Sequence, residues 1–454
     1  PSDCVTSFDE RSHHELEQVS VPGEAGPLLL GEEFRYTRTR IINMPAPGAI
    51  EGAASITCSF VSSISGSGGQ LRFTVNGQNL PYTNTDKISP KSGSSYIHGV
   101  ETNTTHSFQA SPKSNSTFDI GITMSASGSC TGAWLNYLTL NYKRELKIPA
   151  EGYLTFYTGE RRFAVSGVQA GAVLWDVTDP YNVVELEGAQ GSNGTLAIEY
   201  FYGADRDFAI WNPSAKLPSP KAVGYVTNQN LHSESDLDMV IVAPAAFAEQ
   251  ARRLADLHRN SADSLTVGVV TPEQVYNEFS SGTPDVGGLR RFFKMLYDKG
   301  MAGQGRPLRY AILMGRTTID NRSMSINAPS YPTIPSWMPI STRASLSDNE
   351  GFCTDDITAM LDDGSGASLG LDKLSIAIGR IPVVSADEAK NVVDKAYQYA
   401  EGARKTAWKH RFMFLADDQD AGVHLKQTEK MIDQCVASDR QQHLLRKVYM
   451  DAYP

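Results

Sequence analysis

Paired aspartates are the residues of this sequence best suited to chemistry. They follow apolar, strand-like segments in the second half of the chain, and their carboxylate oxygens are the hard ligands that calcium prefers. Turns also favour paired aspartates for backbone reasons alone, so solvated turn carboxylates are the competing interpretation. The calcium candidates are Asp355, Asp356 and Asp418, and further aspartates stand at positions 362, 363, 417 and 420.

A cysteine and a histidine could form a second candidate site, a catalytic Cys–His pair. Cys353 lies in a predicted loop and His258 and His424 lie on predicted helices, so a Cys–His pair would form only through the fold. The alternative is that Cys353 packs as a small hydrophobic residue. The five cysteines lack the short paired spacing of a structural zinc site. Cys58 and Cys130 fall in strand-like stretches of one region, which leaves open both a disulfide and two free thiols.

Length and charge limit the class of protein. A chain of 454 residues is too long for one hydrophobic core, so we expect two or more domains. The net charge of -10 disfavours nucleic acid as a partner, because phosphate binding uses clustered Lys and Arg. No apolar run is long enough for a membrane-spanning helix. The chain opens on Pro1 without a leader, and we expect it to be a piece of a longer secreted precursor.

The first half has the pattern of β-sheet. Short segments alternate in polarity or are rich in β-branched and aromatic residues, and clusters of Gly, Ser, Asn and Pro separate them. This pattern predicts a β-sandwich-like domain over residues 1–145. The same pattern predicts a β-rich extension or second small β module over residues 146–220, ending in a proline-rich linker.

In the second half, apolar strand-like segments alternate with amphipathic helical ones. Thr271-Pro-Glu-Gln274 and Ser385-Ala-Asp-Glu388 have the pattern of helix N-terminal caps. Strands buried on both faces and joined by helices pair in parallel through crossovers. We therefore predict a doubly wound, mostly parallel α/β sheet over residues 221–454, truncated in its sixth strand. The predicted strands are 239–243, 265–270, 309–314, 373–378, 411–415 and 448–450.

Five short motifs in the second half carry a resemblance to a known family. In their order and spacing, they resemble the PorU family of type IX secretion sortases, which is related to the gingipain cysteine peptidases of family C25. Two segments of the first half, Leu30-Gly-Glu-Glu-Phe34 and Trp175-Asp-Val-Thr-Asp-Pro180, also resemble that family. The five motifs are Phe352-Cys-Thr-Asp-Asp356, Leu361-Asp-Asp363, Ile376-Ala-Ile-Gly-Arg-Ile-Pro382, Phe414-Leu-Ala-Asp-Asp418 and Lys447-Val-Tyr-Met-Asp-Ala-Tyr-Pro454.

The resemblance implies a caspase-like (gingipain) α/β peptidase domain preceded by β modules. It implies an enzyme that cleaves the C-terminal sorting domains of type IX cargo and transfers the new carboxyl end to anionic lipopolysaccharide. This chemistry uses a cysteine nucleophile and a histidine base. In the family these residues lie on motifs that would follow Pro454, so we expect both beyond this segment.

One supporting residue can be transferred from the resemblance. Gingipains resemble this chain around Leu415-Ala-Asp417, where an acidic residue orients the catalytic histidine, and Asp417 occupies that position. The competing interpretation is that Asp417 and Asp418 cap the following helix. Gingipains also bind calcium, so calcium is compatible with the resemblance, although no cofactor is required.

The resemblance also implies partners and a location. It implies an outer-membrane β-barrel partner (PorV-like) and the extracellular face of the outer membrane in Bacteroidota. A second class of function stays open, namely a non-catalytic surface scaffold or binding module with a peptidase-like domain. Tyr82, Tyr96, Trp134 and Tyr137 would then be binding aromatics, whereas core packing is their more ordinary use.

Overall fold

A computed structural model gives the fold and describes most of the chain. The described residues are 3–20, 28–88, 97–190, 194–200, 205–324, 328–338, 346, 352–402, 407–417, 419–436 and 444–452. The protein is multidomain, with a sheet-rich N-terminal region followed by an α/β region, as predicted. No helix of the described part combines the length and the apolar character needed to cross a membrane.

The first β module is a sandwich of two antiparallel sheets. One sheet has the strand order β1-β11-β5-β9, and the other has the order β4-β10-β6-β7 with β8 beside β6. The strands are β1 Ser7–His14, β2 Val19–Ser20, β3 Leu29–Leu30, β4 Thr39–Pro45, β5 Gly52–Ile64, β6 Gly69–Val75, β7 Gln78–Asn79, β8 Thr83–Thr85, β9 Val100–Ala110, β10 Thr117–Ala126 and β11 Cys130–Glu145.

Alternating side chains of both sheets form the core of this sandwich. On β10, for example, Phe118, Ile120, Ile122 and Met124 point inward and are fully buried. Each buried side chain of this size stabilises the fold by about 1.5–3 kcal/mol relative to exposure. The strand period of two in the sequence therefore predicted the inward face of this strand.

Cys58 and Cys130 are free thiols in this sandwich. They lie on neighbouring strands, but Cys58 is opposite Leu138 whereas Cys130 is opposite Ile64. Ile64 is six residues along β5 from Cys58, a distance of about 20 Å, so the two cysteines are about that far apart. A disulfide requires Cα atoms about 6 Å apart. Of the two alternatives that the sequence left open, the structure selects the free thiols.

A second, smaller β module follows, with sheets of order β12-β18-β14-β15 and β13-β17-β16. Phe156, Phe163 and Phe208 form its aromatic centre, with ring centroids 5.1–5.4 Å apart. Phe8 of β1 also packs into this core, so the two β modules share a boundary. The strands are β12 Tyr153–Thr158, β13 Arg162–Val165, β14 Val173–Asp176, β15 Val184–Glu185, β16 Ala189–Gln190, β17 Leu196–Glu199 and β18 Arg206–Trp211.

The α/β region begins after residues 215–230, which contain no helix or strand. Its four-stranded sheet is entirely parallel and has the order β20-β19-β21-β22. The strands are β19 Met239–Val242, β20 Val267–Val270, β21 Tyr310–Met314 and β22 Ala377–Ile381. The helices are α1 Ala248–Arg259, α2 Pro272–Phe279, α3 Val286–Met301 and α4 Ala386–Ala400.

Helices cover both faces of this sheet, as a doubly wound fold requires. Helices α2 and α3 pack on one face around Leu289, Phe292 and Phe293, and helices α1 and α4 pack on the other around Leu254 and Val393. The predicted caps are present. Thr271 forms a complete capping box with Gln274, and the side chain of Ser385 accepts a hydrogen bond from the backbone N–H of Glu388.

The predicted six-stranded sheet differs from the structure in its last two strands. Strands β23 Arg411–Ala416 and β24 Leu444–Tyr449 pair in parallel with each other, and in the described part of the chain they form a separate two-stranded sheet. Met413 and Leu415 of β23 are 67% and 65% exposed. The apolar pattern predicted β23 correctly, but it placed the last strand at 448–450 instead of Leu444–Tyr449. It also does not specify which neighbour a strand pairs with. Helix α5 Gln419–Met431 connects the two strands.

Candidate functional site

The carboxyl ends of the parallel strands form the rim on which a site is expected. In open α/β sheets, ligands bind beyond these ends, at the point where the strand order reverses. With the order β20-β19-β21-β22, that point lies between β19 and β21. Gly315 follows β21 directly, and a side chain added there would contact Ile334 at 3.2 Å and Pro244 at 3.6 Å. The loop after β21 is therefore packed closely against this point.

Arg380 of β22 organises the rim. Its guanidinium donates two hydrogen bonds to the two carboxylate oxygens of Asp355, from Nε and from Nη2, at 2.7 Å each. Its Nη1 donates to the carbonyl oxygens of Gly315 at 2.8 Å and Ile334 at 3.0 Å. The side chains of Arg380 and Asp355 are only 12% and 18% exposed. This bidentate pair fixes two parts of the loop between β21 and β22 to the sheet.

Ser336 completes this arrangement. Its hydroxyl donates to Asp355 Oδ1 at 2.6 Å, and its backbone N–H donates to Thr317 Oγ1 at 3.1 Å. Sequence reasoning assigned no role to Ser336 or Arg380. The available signal was a single cation, Arg380, inside an otherwise apolar strand segment, which indicates a buried partner.

Asp355, one of the three predicted calcium ligands, is already paired with an arginine. Both oxygens of Asp355 bind the guanidinium of Arg380, so a calcium ion would have to displace a cation that is already paired. Asp356 is exposed and begins a short 3-10 helix, and Asp418 lies outside the described residues. The described part of the chain contains no group of three or more His, Cys, Asp or Glu placed to hold a metal ion. Calcium binding through these residues stays an untested prediction that Asp355 does not support.

Asp417 lies at the carboxyl end of β23, as predicted. It lines a concave pocket of about 560 Å³ together with His424 of helix α5. Asp420, Ala421 and Gly422 have φ angles of 54°, 56° and 69°, so right-handed helix begins only after Gly422. Asp417 is therefore not at the N-cap of the right-handed part of that helix. The capping interpretation fails for Asp417, whereas Asp418 lies outside the described residues. The other lining residues are Leu415, Ala416, Gln427, Thr428, Met431 and Met450.

Cys353 and His258 lie at opposite ends of the α/β sheet. Cys353 is two residues from Asp355 at the carboxyl rim, and it is exposed, so the interpretation that it packs as a small hydrophobic residue is wrong. The carbonyl oxygen of His258 accepts a hydrogen bond from the backbone N–H of Leu265, which precedes β20 at the amino rim. Partial desolvation and then the charge of Asp355 raise the pKa of the Cys353 thiol, and burial lowers the pKa of His258. This thiol is disfavoured as a thiolate, and the two side chains do not form a catalytic pair.

His424 pairs weakly with Asp420, which lies just before the right-handed part of helix α5. Its Nε2 lies 3.7 Å from Oδ2 of Asp420, and both side chains are more than half exposed. An exposed pair of this kind contributes little to stability. The structure thus brings His424 into the same pocket as Asp417, whereas Cys353 belongs to the rim organised by Arg380.

The candidate binding aromatics of the first module differ in their surroundings. Tyr82 is 59% exposed, whereas Trp134 packs beside a buried cluster that includes Leu30. Tyr137 is half-buried with its ring centroid 5.5 Å from that of His13, and Tyr96 lies outside the described residues.

Comparisons with known proteins agree with the fold and with the predicted family. Residues 232–454 match the family described as peptidase family C25. The crystal structure of dimeric latent PorU from Porphyromonas gingivalis is 25% identical, with a TM-score of 0.77. The match covers 89% of this chain and 39% of that chain, so this chain spans about two fifths of the length of its structural relative.

Two carbohydrate-binding modules match parts of the chain with low structural similarity. One, from the Cellvibrio mixtus lichenase 5A, is 19% identical with a TM-score of 0.15 and covers 24% of this chain and 67% of its own. The other, from a Zobellia galactanivorans laminarinase, is 12% identical with a TM-score of 0.17 and covers 29% of this chain and 98% of its own. Similarity this low says nothing about function. No curated protein matches the sequence.

Proposed function

Because the chain is a PorU-like protein with a C25-type domain, we propose that it is part of a cell-surface cysteine peptidase of the sortase kind. The enzyme cleaves the C-terminal sorting domains from type IX secretion cargo and transfers the new carboxyl end to anionic lipopolysaccharide. Its α/β region is a caspase-like (gingipain) peptidase domain. It acts at the outer face of the outer membrane of Bacteroidota, beside a β-barrel partner of the PorV kind.

One observation supports this proposal above the others. The fold agrees with PorU over 89% of the chain, and this agreement includes the β modules as well as the α/β sheet. A peptidase-like α/β sheet alone would leave the class of reaction open, because one fold serves many functions. The identity of 25% and the shared order of domains favour the PorU reaction over a general peptidase.

The proposed reaction assigns one role to the described residues. A cysteine thiolate outside them attacks the cargo carbonyl carbon, the peptide C–N bond breaks, and a histidine gives the leaving amine its proton. A nucleophile of the lipopolysaccharide then attacks the thioester carbonyl and releases the thiolate. Asp417 accepts a hydrogen bond from the histidine ring and holds its orientation for both proton transfers. Its place at a strand end, open to a pocket, supports this role.

The test uses the complete natural protein in its host and a reporter cargo that carries a sorting domain. We expect iodoacetamide to block release of the sorting domain and mass spectrometry to identify the alkylated cysteines, among them the exposed Cys353. Replacing the nucleophilic cysteine by alanine should abolish release, whereas Cys353→Ala should leave release unchanged. Release that persists after alkylation of every thiol would contradict the peptidase and favour the non-catalytic scaffold.

A further inference from the structure

The second β module exposes an aromatic face that the proposed function does not use. On β12 the outward side chains include Tyr153 and Tyr157, and on β18 Trp211 lies directly opposite Tyr153. On β14 Trp175 lies diagonally to Trp211, and their rings meet edge to face with centroids 4.6 Å apart. Four aromatic side chains of three neighbouring strands therefore form one surface, which we call the aromatic face.

The aromatic face is accessible. The exposed fractions of its side chains are 36% for Tyr153, 45% for Tyr157 and 37% for Trp175. The alternate side chains of the same strands point into the core and are buried. Strand geometry gives the face a size of roughly 13 by 10 Å. Clustered exposed aromatic rings are typical of interaction sites, because ordinary protein surface carries such residues singly.

Negative charge surrounds the aromatic face. Residues 151–212 contain nine Asp and Glu against three Arg, a net charge of −6 out of −10 for the whole chain. The three arginines are already paired, Arg206 with Asp176, and Arg161 and Arg162 with Glu199. The negative charge of this module is therefore not balanced from within it.

Two of the unbalanced carboxylates belong to the aromatic face itself. Asp207 is opposite Tyr157 on the adjacent strand, and Glu185 is opposite Trp175. Neither forms an ion pair with any described residue. A groove of about 420 Å³ continues the face toward β1 and is lined by Asp207, Tyr157 and Asp9, among others. The other two carboxylates of the groove are paired, Asp9 with Lys143 and Glu10 with Arg144, at 2.8 Å each, so Asp207 supplies its free negative charge.

We propose that the aromatic face binds a cationic peptide segment of a protein partner. A Lys or Arg side chain lies over the ring of Trp175 or Tyr157 and pairs with Glu185 or Asp207. Aromatic faces attract cations through the ring quadrupole, and unpaired carboxylates add to the same attraction. The excess negative charge of the module repels nucleic acid and anionic polysaccharide. A neutral glycan could stack on the aromatic rings, but it would make no use of the negative charge. This inference is independent of the proposed peptidase reaction.

The test is a fluorescence anisotropy titration of the 454-residue chain. The probe is a fluorescein-labelled octapeptide of alternating Lys and Ser, and its counterpart has Glu in place of Lys. We expect the Lys peptide alone to bind, and more weakly when NaCl rises from about 0.05 M to about 0.5 M, because salt screens exposed charges. Trp175→Ala and the Asp207→Asn, Glu185→Gln double variant should each weaken binding about fivefold.

Matched controls separate this effect from general ones. Tyr181→Ala removes a 99% exposed tyrosine of the same module, and Asp263→Asn removes an exposed carboxylate of the α/β region. Both should bind the Lys peptide as the unchanged chain does. Tyr157→Ala provides a second test should Trp175→Ala fail to fold.

Four results would overturn the proposal. They are no binding of the Lys peptide, equal weakening by the control variants, binding of neutral cellohexaose that Trp175→Ala abolishes, and a dimer in sedimentation that Trp175→Ala dissociates. The third would assign the face to a glycan, and the fourth to a second copy of the chain.

Discussion

The Arg380–Asp355 pair leads to the most specific stability prediction. Substituting Arg380 by Met removes the guanidinium. It leaves Asp355 with the Ser336 hydroxyl as a donor but without its two guanidinium donors, and it removes the Nη1 donor from the carbonyls of Gly315 and Ile334. Breaking a buried ion pair by removing one partner costs about 3–5 kcal/mol. The 12% and 18% exposure of the two side chains admits some water, so we expect the lower part of that range, about 3 kcal/mol.

Asp355→Asn should destabilise the protein less than Arg380→Met. An asparagine keeps one oxygen to accept from Arg380 or Ser336 and loses mainly the charge, for which we expect about 1.5–2 kcal/mol. Because Arg380 and Asp355 contact each other, their effects are not additive. The double variant Arg380→Met, Asp355→Asn should lose less stability than the two single variants added together, by roughly 1–2 kcal/mol.

Hydrogen–deuterium exchange is the suitable assay, since a multidomain chain does not unfold in a single step. Arg380→Met should accelerate exchange in peptides covering residues 315–324 and 352–363, and leave residues 117–126 of the first module unchanged. The control is Lys390→Met, which breaks a largely exposed pair with Asp394 and should change exchange by less than the equivalent of about 0.5 kcal/mol. If Arg380→Met had no larger effect than Lys390→Met, the proposed role of the pair in fixing the loop would be wrong.

Two further predictions concern buried polar groups of the α/β region. Burial raises the pKa of Asp238, but the backbone N–H of Thr266 and the Arg306 guanidinium more than offset this and hold the pKa below its usual range. The stabilisation that ionised Asp238 provides is therefore complete above about pH 4 and lost as pH falls further. Hydrogen–deuterium exchange of the α/β region between pH 3 and 6 should show a stability that depends less on pH for Asp238→Asn, and an unchanged dependence would refute this. The hydroxyl of Tyr276 is buried without a partner among the described residues, so Tyr276→Phe should stabilise the α/β region by about 1 kcal/mol, measured by hydrogen–deuterium exchange. Tyr397→Phe, which loses a hydrogen bond to the Arg253 carbonyl, should instead destabilise, and equal signs for the two variants would contradict the explanation.

Local patterns predicted the elements of the fold better than their assembly. The capping box at Thr271 and the N-cap at Ser385 lie where the sequence placed them, since caps depend on residues three positions apart. The pairing of β23 with β24 alone, and the entry of Phe8 into the core of the second module, depend on contacts between distant segments. Apolar periodicity carries no information about such partners.

The candidate site was predicted in part. The apolar run before Asp417 shows where β23 ends, so the position of Asp417 at a strand end could be predicted. The role of Asp355 could not be predicted, because a carboxylate in a loop has the same sequence pattern whether it binds calcium, solvent or an arginine. Only the fold shows that Arg380, 25 residues away, occupies both of its oxygens.

The central claim, that the pocket at the carboxyl end of β23 containing Asp417 serves a peptidase reaction, is tested most directly by cargo maturation in the host. The measurement compares the initial rate of sorting-domain release for the complete protein with Asp417→Asn and with Asp263→Asn, at equal amounts of folded protein. We expect Asp417→Asn to slow release by about 100-fold and Asp263→Asn to leave it unchanged. Equal rates for the two variants would contradict the account.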